Sequence, residues 1–449
     1  MKPLAVPERL FGTDGVRGKA GSHPLDAPTI RRLGAALVRV LDSRPARLVI
    51  GRDTRESSPW IVRELAFGAR AAGADVTSAG ILPTPAIAFI TRSMGFDAGL
   101  MISASHNPFE DNGIKVFSGA GAKYGEATER QIEALVADRS WSVPEGEAGP
   151  VDGTDYVEAY LAHARVALPE AGPLMGSRIG VDCANGAMTG HAPRLFEELG
   201  LDVTTIASSP DGRNINRRCG STHPETLAVE VRARALRLGV AFDGDGDRAI
   251  FVDHLGQIVD GDAVLLMCAR QMKAEGRLRG SAVVATVMSN IGLEIALRDS
   301  GIDLVRCAVG DKYVMDELAA RNLLLGGEQS GHIIFADQMF TGDGLMTALN
   351  VLRTMVATGR ELADLAAQMP RFPQVLVNVK VQRRAKLAEV PGIADVMTRV
   401  EGRLGHQGRL LVRYSGTEPL LRIMLEGRDK HAIELWANEI ADEVRKHLA

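Results

Sequence analysis

The chain has 449 residues, with 45% hydrophobic, 24% charged and only 4% aromatic residues, and a formal net charge of −4. This length predicts about three domains, each able to bury a core. So few aromatic residues and a slightly acidic balance argue against a nucleic-acid-binding surface, which needs a basic face and stacking side chains.

Cysteine usage and hydropathy bound the cellular compartment. The four cysteines, Cys183, Cys219, Cys268 and Cys307, are widely spaced and form no C-x-x-C pair. That pattern fits neither a zinc site nor a disulfide framework, and it indicates a reducing compartment. Residues 1–9 lack the apolar segment of a signal peptide, and no later run is long enough to span a membrane. We therefore expect a cytoplasmic protein without a membrane partner.

The first third of the chain alternates predicted strands and helices. It opens with FGTDGVRG at 11–18, half of it Gly or Asp, which predicts a loop presenting Arg17, or an exposed turn with a solvated arginine. The elements that follow are predicted as a strand at 48–50, a helix at 57–72, a strand at 75–79, a helix at 84–94, and strands at 98–102 and 113–117. This order implies a parallel sheet with helices on its faces.

Two further rounds of the same pattern follow a polar stretch at 120–155, which we predict to be a domain connection. The second round comprises a strand at 178–182, a helix at 192–199, a strand at 201–206, a helix at 224–238 and a strand at 240–242. The third comprises a helix at 262–274, a strand at 282–287, a helix from 292, a strand at 303–306, a strand-end loop within 323–332 and helices within 344–369.

The last segment has a different order. It comprises a strand at 374–382, a helix at 393–403, strands at 409–413 and 420–426, and an amphipathic helix from 429. The order β-α-β-β-α predicts a small α+β domain. The fold class is therefore α/β, with three consecutive mixed-sheet domains of similar build and a C-terminal small α+β domain. The predicted domains are 1–155, 156–258, 259–371 and 372–449.

A serine-rich loop follows the predicted strand at 98–102. The apolar strand breaks into Ser103-Ala104-Ser105-His106-Asn107-Pro108. Folds of this class place their chemistry at the carboxyl ends of strands. The same residues are also ordinary turn formers, and the loop alone does not decide between the two interpretations.

Three aspartates follow another apolar strand. Asp243, Asp245 and Asp247 alternate with glycines, so their carboxylates would repel one another unless a cation lay between them. Glycines let the backbone curl around one hard ion, and Mg²⁺ is the expected one. An EF-hand would need Gly and Glu where Arg248 and His254 stand, so that interpretation fails. The remaining alternative is an acidic surface turn.

The serine and the metal loop together suggest phosphoryl transfer. A phosphate on Ser105 would complete the coordination of the ion, and fixed cations would stabilise the transferring group. Arg17, Lys115 and Arg248 are the candidate cations, although Lys115 is also explicable as a charge on an edge strand. A Ser-His-Asp hydrolase is disfavoured because Ser105 lacks the G-x-S-x-G elbow. We expect His106 to order the loop rather than to act as a base.

A second anion site is predicted near the C-terminus. The segment from Arg413 to Pro419 contains Ser415, Gly416 and Thr417, and Arg422 follows. Guanidinium groups, hydroxyls and a glycine turn are the components of a phosphate cradle. No Walker A sequence accompanies them, so a nucleotide is not implied. A hairpin turn with incidental arginines is the alternative.

A fourth polar loop completes a recognisable set. Glu328, Ser330 and His332 carry groups suited to sugar hydroxyls. With this loop, the chain resembles the α-D-phosphohexomutase family over essentially its whole length. The matching loops are the phosphoserine loop at 103–108, the metal loop at 243–248, the sugar loop at 327–332 and the phosphate loop at 413–419.

The resemblance implies a reaction and its cofactors. The FGTDGVRG opening and the GEQSG form of the sugar loop are most similar to bacterial members that interconvert glucosamine 6-phosphate and glucosamine 1-phosphate for UDP-N-acetylglucosamine and the cell wall. Phosphorylated Ser105 would donate to the free sugar oxygen, and the bound 1,6-bisphosphate would turn over in a central cleft. One Mg²⁺ ion, phosphorylated Ser105 and a sugar 1,6-bisphosphate primer are the implied cofactors. The implied partners are a sugar phosphate and a second copy in a homodimer.

The family's residue roles carry over by matching positions. The resemblance implies that Ser105 carries the phosphoryl group and binds the metal ion together with Asp243, Asp245 and Asp247. It implies that Lys115 is a general acid/base and that Arg17 and Arg248 stabilise the transferring phosphoryl group. It also implies that Glu328 and Ser330 bind the sugar, and that the second phosphate is bound by Arg413, Ser415, Thr417 and Arg422. Lys312 stands in a GDKY loop where the family has arginine, and lysine lacks the bidentate fork. A glucose or mannose phosphate mutase on the same scaffold, a metal-dependent phosphatase and a non-catalytic sensor remain alternatives.

Overall fold

A computed structural model of the chain describes residues 9–12, 14–415 and 419–448, without the side chain of His406. The described residues form two compact units. The first runs to Met288 and resumes at Ile302–Ala367, and the second comprises Ser289–Gly301 and the chain from Gln368. Among the described residues, 9–12, 14–415 and 419–448, no helix is long and apolar enough to cross a membrane.

The first sheet of the larger unit has six strands in the order β1-β2-β6-β5-β3-β4. Its strands are β1 (Phe11–Gly12), β2 (Gly15–Lys19), β3 (Arg47–Arg52), β4 (Asp75–Ile81), β5 (Ala98–Ile102) and β6 (Asp111–Ser118). Its helices are α1 (Ala27–Val40), α2 (Ser58–Ala71), α3 (Thr84–Ser93) and α4 (Glu126–Ala137). Strands β3, β4 and β5 are parallel, and β6 runs antiparallel to β5 and β2. The serine loop therefore connects two interior strands.

Three features of this region differ from the sequence predictions. The predicted loop at 11–18 is wrong, because Phe11 pairs with Val16 in a hairpin and Arg17 lies on β2. The predicted connection at 120–155 contains α4, whose Ile132 is buried in the core. Helix α1 was not among the predicted elements; it begins where the Asp26 side chain accepts a hydrogen bond from the N–H of Thr29 at 3.0 Å.

The second sheet has five strands in the order β11-β10-β9-β7-β8. Its elements are α5 (Val157–Arg165), β7 (Arg178–Asp182), α6 (Ala192–Glu198), β8 (Asp202–Ile206), α7 (Glu225–Ala233), β9 (Leu238–Phe242), β10 (Ala249–Asp253) and β11 (Ile258–Val259). Helix α7 is shorter than the predicted 224–238. Ala235 adopts a left-handed conformation (φ 49°), which ends the helix and lets the chain turn into β9.

The third sheet has four strands in the order β13-β12-β14-β15, with β15 antiparallel to β14. The elements from this part of the chain are α8 (Gly261–Ala274), β12 (Ala282–Thr286), α9 (Ile291–Asp299), β13 (Asp303–Cys307), α10 (Asp311–Arg321), β14 (Leu325–Gly327), β15 (Ile333–Phe335), α11 (Gly344–Thr358) and α12 (Leu362–Ala366). Helix α9 belongs to the smaller unit, where the Asn290 side chain donates to the carbonyl of Phe372 at 2.9 Å.

The smaller unit is built on a three-stranded antiparallel sheet in the order β16-β18-β17. Its elements are β16 (Gln374–Lys380), α13 (Pro391–Leu404), β17 (Arg409–Tyr414), β18 (Leu420–Glu426) and α14 (Lys430–Leu448). Apolar residues of α13 and α14, among them Val400 and Ile440, pack with Ile423 in one core. The order β-α-β-β-α is the predicted one.

Candidate active site

Ser105 lies at the centre of the candidate site. It follows β5 at the carboxyl end of the parallel strands, and its side chain is only 1% exposed. Its Oγ donates to Oδ2 of Asp243 at 2.5 Å and lies 3.2 Å from Nδ1 of His106. The residue has a φ of 53°, a left-handed conformation that costs a serine free energy and is typical of functional sites.

The three predicted metal ligands form one cluster. One carboxylate oxygen each from Asp243, Asp245 and Asp247 lies within 4.8 Å of the others, and all three side chains are buried. Oδ1 of Asp245 and Oδ1 of Asp247 have no hydrogen-bond partner in the part of the chain that the structure describes. Convergent, buried and unsatisfied carboxylate oxygens fit a hard cation such as Mg²⁺. An acidic surface turn does not describe this loop.

Glycine at 244 lets the metal loop approach the serine loop. A Cβ at Gly244 would lie 2.6 Å from the carbonyl oxygen of Ser105 and 2.8 Å from Nδ2 of Asn216. Both distances are shorter than real Cβ contacts. The alternation of Asp and Gly therefore reflects packing against Ser105 as well as the curvature around an ion.

The buried carboxylates of Asp243, Asp245 and Asp247 repel one another. Burial, together with the neighbouring Asp247 and Asp245, raises the pKa of Asp243 well above its usual range. The Thr84 hydroxyl donates a hydrogen bond to Oδ2 of Asp245 in the same cluster. A divalent cation at this point would reverse the effect by supplying positive charge. The three carboxylates could therefore hold a metal ion.

Lys115 lies inside this cluster. Its Nζ is 2.7 Å from Oδ2 of Asp245, 2.9 Å from Oδ2 of Asp247 and 3.1 Å from Oδ2 of Asp14. Burial alone would lower the pKa of Lys115, but these three carboxylates more than offset it and raise the pKa well above the usual value. The alternative of an edge-strand charge is wrong, because β6 is an interior strand and Lys115 is 1% exposed.

Two arginines flank Ser105. Arg17 forms an ion pair with Asp14, and its Nη1 donates to the carbonyl of Ala104 at 3.3 Å. The backbone N–H of Arg248 donates to Oδ1 of Asp243 at 3.2 Å. The buried Nε of Arg248 has no hydrogen-bond partner in the described residues and lies 3.9 Å from Oδ1 of Asp247. Both cations therefore lie close to the serine loop.

His106 is neutral and ordered by Arg248. Burial, with the positive charges of Arg248 and Arg17, lowers the pKa of His106 to about 4. Nη1 of Arg248 lies 3.2 Å from Nδ1 of His106. Arginine only donates, so Nδ1 accepts and the ring proton is on Nε2. This arrangement agrees with a loop-ordering histidine.

The sugar loop is brought to the same region by β14 and β15. Oε1 of Glu328 accepts from the backbone N–H of Gly310 at 3.0 Å, and Oε2 lies 3.3 Å from Oγ of Ser330. The ring of His332 lies between two carboxylates, 3.6 Å from Oδ1 of Asp247 and 3.8 Å from Oδ2 of Asp311. Lys312 instead pairs with Glu129 on α4, at 3.2 Å.

Sequence reasoning missed a charge link beside Lys115. Lys123 forms ion pairs with Asp14 and with Asp311, and it is only 18% exposed. Through Asp311 this link continues to His332. Asp14 stands in the FGTDGVRG segment and Asp311 in the GDKY loop, so each lay in a segment already singled out. The pairing itself depends on three-dimensional placement.

The predicted phosphate loop lies in the smaller unit, which is described by itself. Arg413 on β17 is directly opposite Arg422 on β18. Ser415 is 3% exposed, and its carbonyl accepts from Nη2 of Arg384 at 2.7 Å. Gly416 and Thr417 lie outside the described residues.

Comparisons with known proteins agree with this geometry. Models of the phosphoglucomutase/phosphomannomutase family match in four consecutive segments: α/β/α domain I at 8–142, domain II at 154–256, domain III at 260–372 and the C-terminal domain at 376–443. A phosphoglucosamine mutase of Syntrophotalea carbinolica is 47% identical over 99% of this chain and 98% of its own length. The chain belongs to the phosphoglucomutase/phosphomannomutase family.

Other relatives define its position in this family. A phosphoglucosamine mutase of Solibacter usitatus is 46% identical over 98% of this chain and 99% of its own. A solved family protein of Burkholderia thailandensis covers 97% of each chain at 26% identity, with a TM-score of 0.78. These findings confirm the predicted family and the predicted three α/β domains followed by a small C-terminal domain. They also confirm the prediction of a phosphoglucosamine mutase, which is an isomerase.

Proposed function

We propose that the chain interconverts glucosamine 6-phosphate and glucosamine 1-phosphate with Ser105 as the phosphoryl carrier. The observation that carries this proposal is the buried contact of 2.5 Å between Oγ of Ser105 and Oδ2 of Asp243. A serine directed at three convergent carboxylates suits a phosphorylated side chain beside a metal ion. Phosphorylated Ser105 transfers its group to the free oxygen of the sugar phosphate, and the resulting 1,6-bisphosphate returns its other phosphate to Ser105.

Asp243, Asp245 and Asp247, with an oxygen on Ser105, would hold one Mg²⁺ ion. When bound, that ion supplies positive charge against the oxygens that become negative during transfer. Nearby, Arg17 and Arg248 offer guanidinium groups on the two sides of Ser105, where they neutralise the equatorial oxygens of the transferring group.

Mg²⁺ should raise the melting temperature of the wild-type chain and leave that of Asp245→Asn nearly unchanged. An equal shift in both proteins would contradict this metal site.

We assign the proton transfers to Lys115. Its three carboxylate neighbours favour the protonated form of Nζ, and burial keeps water away from it. Protonated Nζ can give a proton to the sugar oxygen that leaves when the phosphoryl group moves to Ser105. The opposite transfer, from phosphorylated Ser105 to the sugar, starts with neutral Nζ, which takes the proton of the attacking hydroxyl and so returns to the protonated form.

We assign sugar recognition to Glu328, Ser330 and His332. Oε1 and Oε2 of Glu328 already accept hydrogen bonds from Gly310 and Ser330, so the carboxylate is held in a fixed orientation. A fixed carboxylate pairs with the ammonium group of an amino sugar more strongly than with a hydroxyl. Lys312 is engaged with Glu129, so a role in substrate binding requires it to leave that ion pair.

We assign the idle phosphate of the substrate to Arg413, Ser415, Gly416, Thr417 and Arg422. Arg413 and Arg422 are placed side by side by the pairing of β17 and β18, which suits bidentate binding of a phosphate.

The four cysteines are free and buried, which agrees with our proposal of a reducing, cytoplasmic location. A homodimer is part of the same proposal, on the family resemblance alone.

The substrate assignment is tested by mutase turnover. We would compare kcat/KM for glucosamine, glucose and mannose 6-phosphates, each with Mg²⁺ and a sugar 1,6-bisphosphate primer. The proposal predicts a clear preference for the amino sugar, and a weaker preference in Glu328→Gln. Equal or better rates on glucose or mannose 6-phosphate would overturn the substrate assignment. Release of inorganic phosphate in excess of isomer would indicate a phosphatase.

A further inference from the structure

The serine loop is held by two buried side chains that have no part in the chemistry assigned above. The backbone of Ser105 has a φ of 53°, so the loop needs interactions that keep this conformation. Loop carbonyl oxygens accept hydrogen bonds from Arg55 and from Asn216. Arg55 follows β3 and Ser105 follows β5, two strands of the first sheet, whereas Asn216 comes from the chain segment between β8 and α7.

Arg55 binds the loop from its own sheet. Its side chain is fully buried, and its guanidinium donates to the carbonyls of Ser105 at 2.9 Å, Asn107 at 2.9 Å and Asp111 at 3.0 Å, and to that of Pro108. A buried guanidinium directed at four carbonyls between Ser105 and the start of β6 fixes the shape of that segment.

Asp53 connects Arg55 to the amino-terminal side of the loop. Oδ2 of Asp53 accepts from Nε of Arg55 at 2.8 Å and from Oγ of Ser103 at 2.6 Å. Oγ of Ser103 in turn accepts from the backbone N–H of Ser105 at 3.0 Å. Both backbone polar groups of Ser105 are therefore connected to Arg55, the carbonyl directly and the N–H through two further side chains.

Asn216 binds the same carbonyls from the side of the metal loop. Its amide nitrogen donates to the carbonyl of Ser105 at 2.8 Å and to that of Asn107 at 3.2 Å. The same nitrogen would lie 2.8 Å from a Cβ at position 244, so Asn216 fills the space between the metal loop and the serine loop. Asn216 itself has a φ of 57°, in the left-handed region that asparagine tolerates better than most residues.

We infer that Arg55 and Asn216 are positioning residues which together hold the carbonyl of Ser105, and so keep its Oγ directed at Asp243. Neither touches the substrate in this assignment, and each acts through the backbone of Ser105. Misplacement of a reacting atom by about 1 Å lowers a rate by as much as 100-fold without removing any catalytic group. The inference rests on the proposed role of Ser105 as phosphoryl carrier.

The test uses Asn216→Gly, because glycine removes the amide and accepts a positive φ without strain. Asn185→Gly is the matched control. Asn185 is also a buried asparagine with a positive φ of 48°, but its Nδ2 donates to the carbonyl of Asn214 at 3.3 Å and its Oδ1 accepts from the N–H of Ser209 at 3.0 Å. Neither contact involves the serine loop. Arg55→Lys is a second variant, which keeps the charge beside Asp53 and loses the planar fork.

The readouts are kcat, KM and the single-turnover rate at which a sugar 1,6-bisphosphate phosphorylates Ser105. Mass spectrometry of the full chain measures this phosphorylation rate. Asn216→Gly and Arg55→Lys should lower kcat and the phosphorylation rate by about 10-fold to 100-fold, with KM changed less than about 3-fold. Asn185→Gly should keep kcat within a factor of about two, even if its melting temperature falls as much as that of Asn216→Gly.

Three outcomes decide the inference. Wild-type phosphorylation rates in a folded Asn216→Gly or Arg55→Lys protein would overturn it. Equal losses of kcat in Asn216→Gly and Asn185→Gly would also overturn it, because a general loss of stability would then explain both. If the wild-type chain isomerises the sugar without phosphorylating Ser105, the proposed function fails instead, and the two failures are distinguishable.

Discussion

Oγ of Ser105 donates to Oδ2 of Asp243 at 2.5 Å, although 138 positions separate the two residues in the chain. One lies after β5 of the first sheet, and the other lies after β9 of the second. Each follows a fully buried strand and enters a loop that the other loop packs against. This contact joins the loops of two different sheets in one site.

Asp245→Asn should lower kcat by about 100-fold or more and change KM little, because a metal ligand acts on charge that develops in the transition state. The exchange also weakens the ion pair with Lys115, which lies 2.7 Å from Oδ2. Steady-state kinetics at saturating Mg²⁺ would measure both constants. Equal losses in kcat and in substrate affinity would contradict a role in the transition state.

Gly244→Ala should abolish most activity and lower the melting temperature by several degrees. The added Cβ would lie 2.6 Å from the carbonyl oxygen of Ser105, so the serine loop has to move, at a cost of about 1–3 kcal/mol. Gly190→Ala is the control, since a Cβ there has no neighbour within 4 Å. Wild-type kcat in the Gly244→Ala protein would show that the two loops are not tightly packed in solution.

Arg413→Ala should raise KM for the sugar phosphate by about 10-fold to 100-fold, the loss expected for one charge-assisted hydrogen bond, and affect kcat much less. The exposed Arg383→Ala, from the same small unit, should leave KM unchanged. An unchanged KM in Arg413→Ala would remove the proposed phosphate-binding role from that strand.

The sequence predicted most elements of the fold because their apolar periodicity is strong. Strand β5 has the predicted bounds 98–102, and β14 lies within the segment indicated. Strand β9 begins at Leu238, two residues before the predicted strand at 240–242. Turn-like composition was less reliable. FGTDGVRG forms a hairpin instead of a loop, because pairing of β2 with β6 outweighs its glycine content. The division into domains at 155, 258 and 371 stays a prediction.

The site was predictable to the extent that its residues stand in short motifs. Ser105, Lys115 and the three aspartates come together as the motifs suggested. Arg55 was not assigned a role, although it follows the carboxyl end of β3, where functional side chains collect. Asn216 lies in a stretch without any motif, and only the packing of two sheets reveals its contact with Ser105. Contacts of this kind depend on tertiary placement.

Stability should depend on pH through Asp182, which lies far from the aspartate cluster in sequence. Burial raises the pKa of Asp182 to about 6, even though its oxygens accept from the N–H groups of Ala184 at 2.9 Å and Gly220 at 2.8 Å. The folded state then holds a proton that the unfolded state loses near pH 4. This group's contribution to stability, on the order of 3 kcal/mol, is fully present below pH 4 and is lost as the pH rises to about 6.

Melting temperatures of the wild type and Asp182→Asn between pH 3.5 and 7.5 would measure this contribution, since asparagine does not titrate. The wild type minus variant difference should fall between about pH 4 and pH 6 and stay constant above. A difference that rises over this interval would mean that the pKa of Asp182 is lowered instead.

The most direct test of the account is the location of the phosphate during turnover. The chain would be loaded with a labelled sugar 1,6-bisphosphate, quenched, and mapped by peptide mass spectrometry, with Ser105→Ala treated in parallel. We predict label on Ser105 alone, its transfer to glucosamine 6-phosphate within one turnover, and neither label nor turnover in Ser105→Ala. Turnover in Ser105→Ala, or label on another residue that passes to the sugar at the catalytic rate, would contradict the central claim.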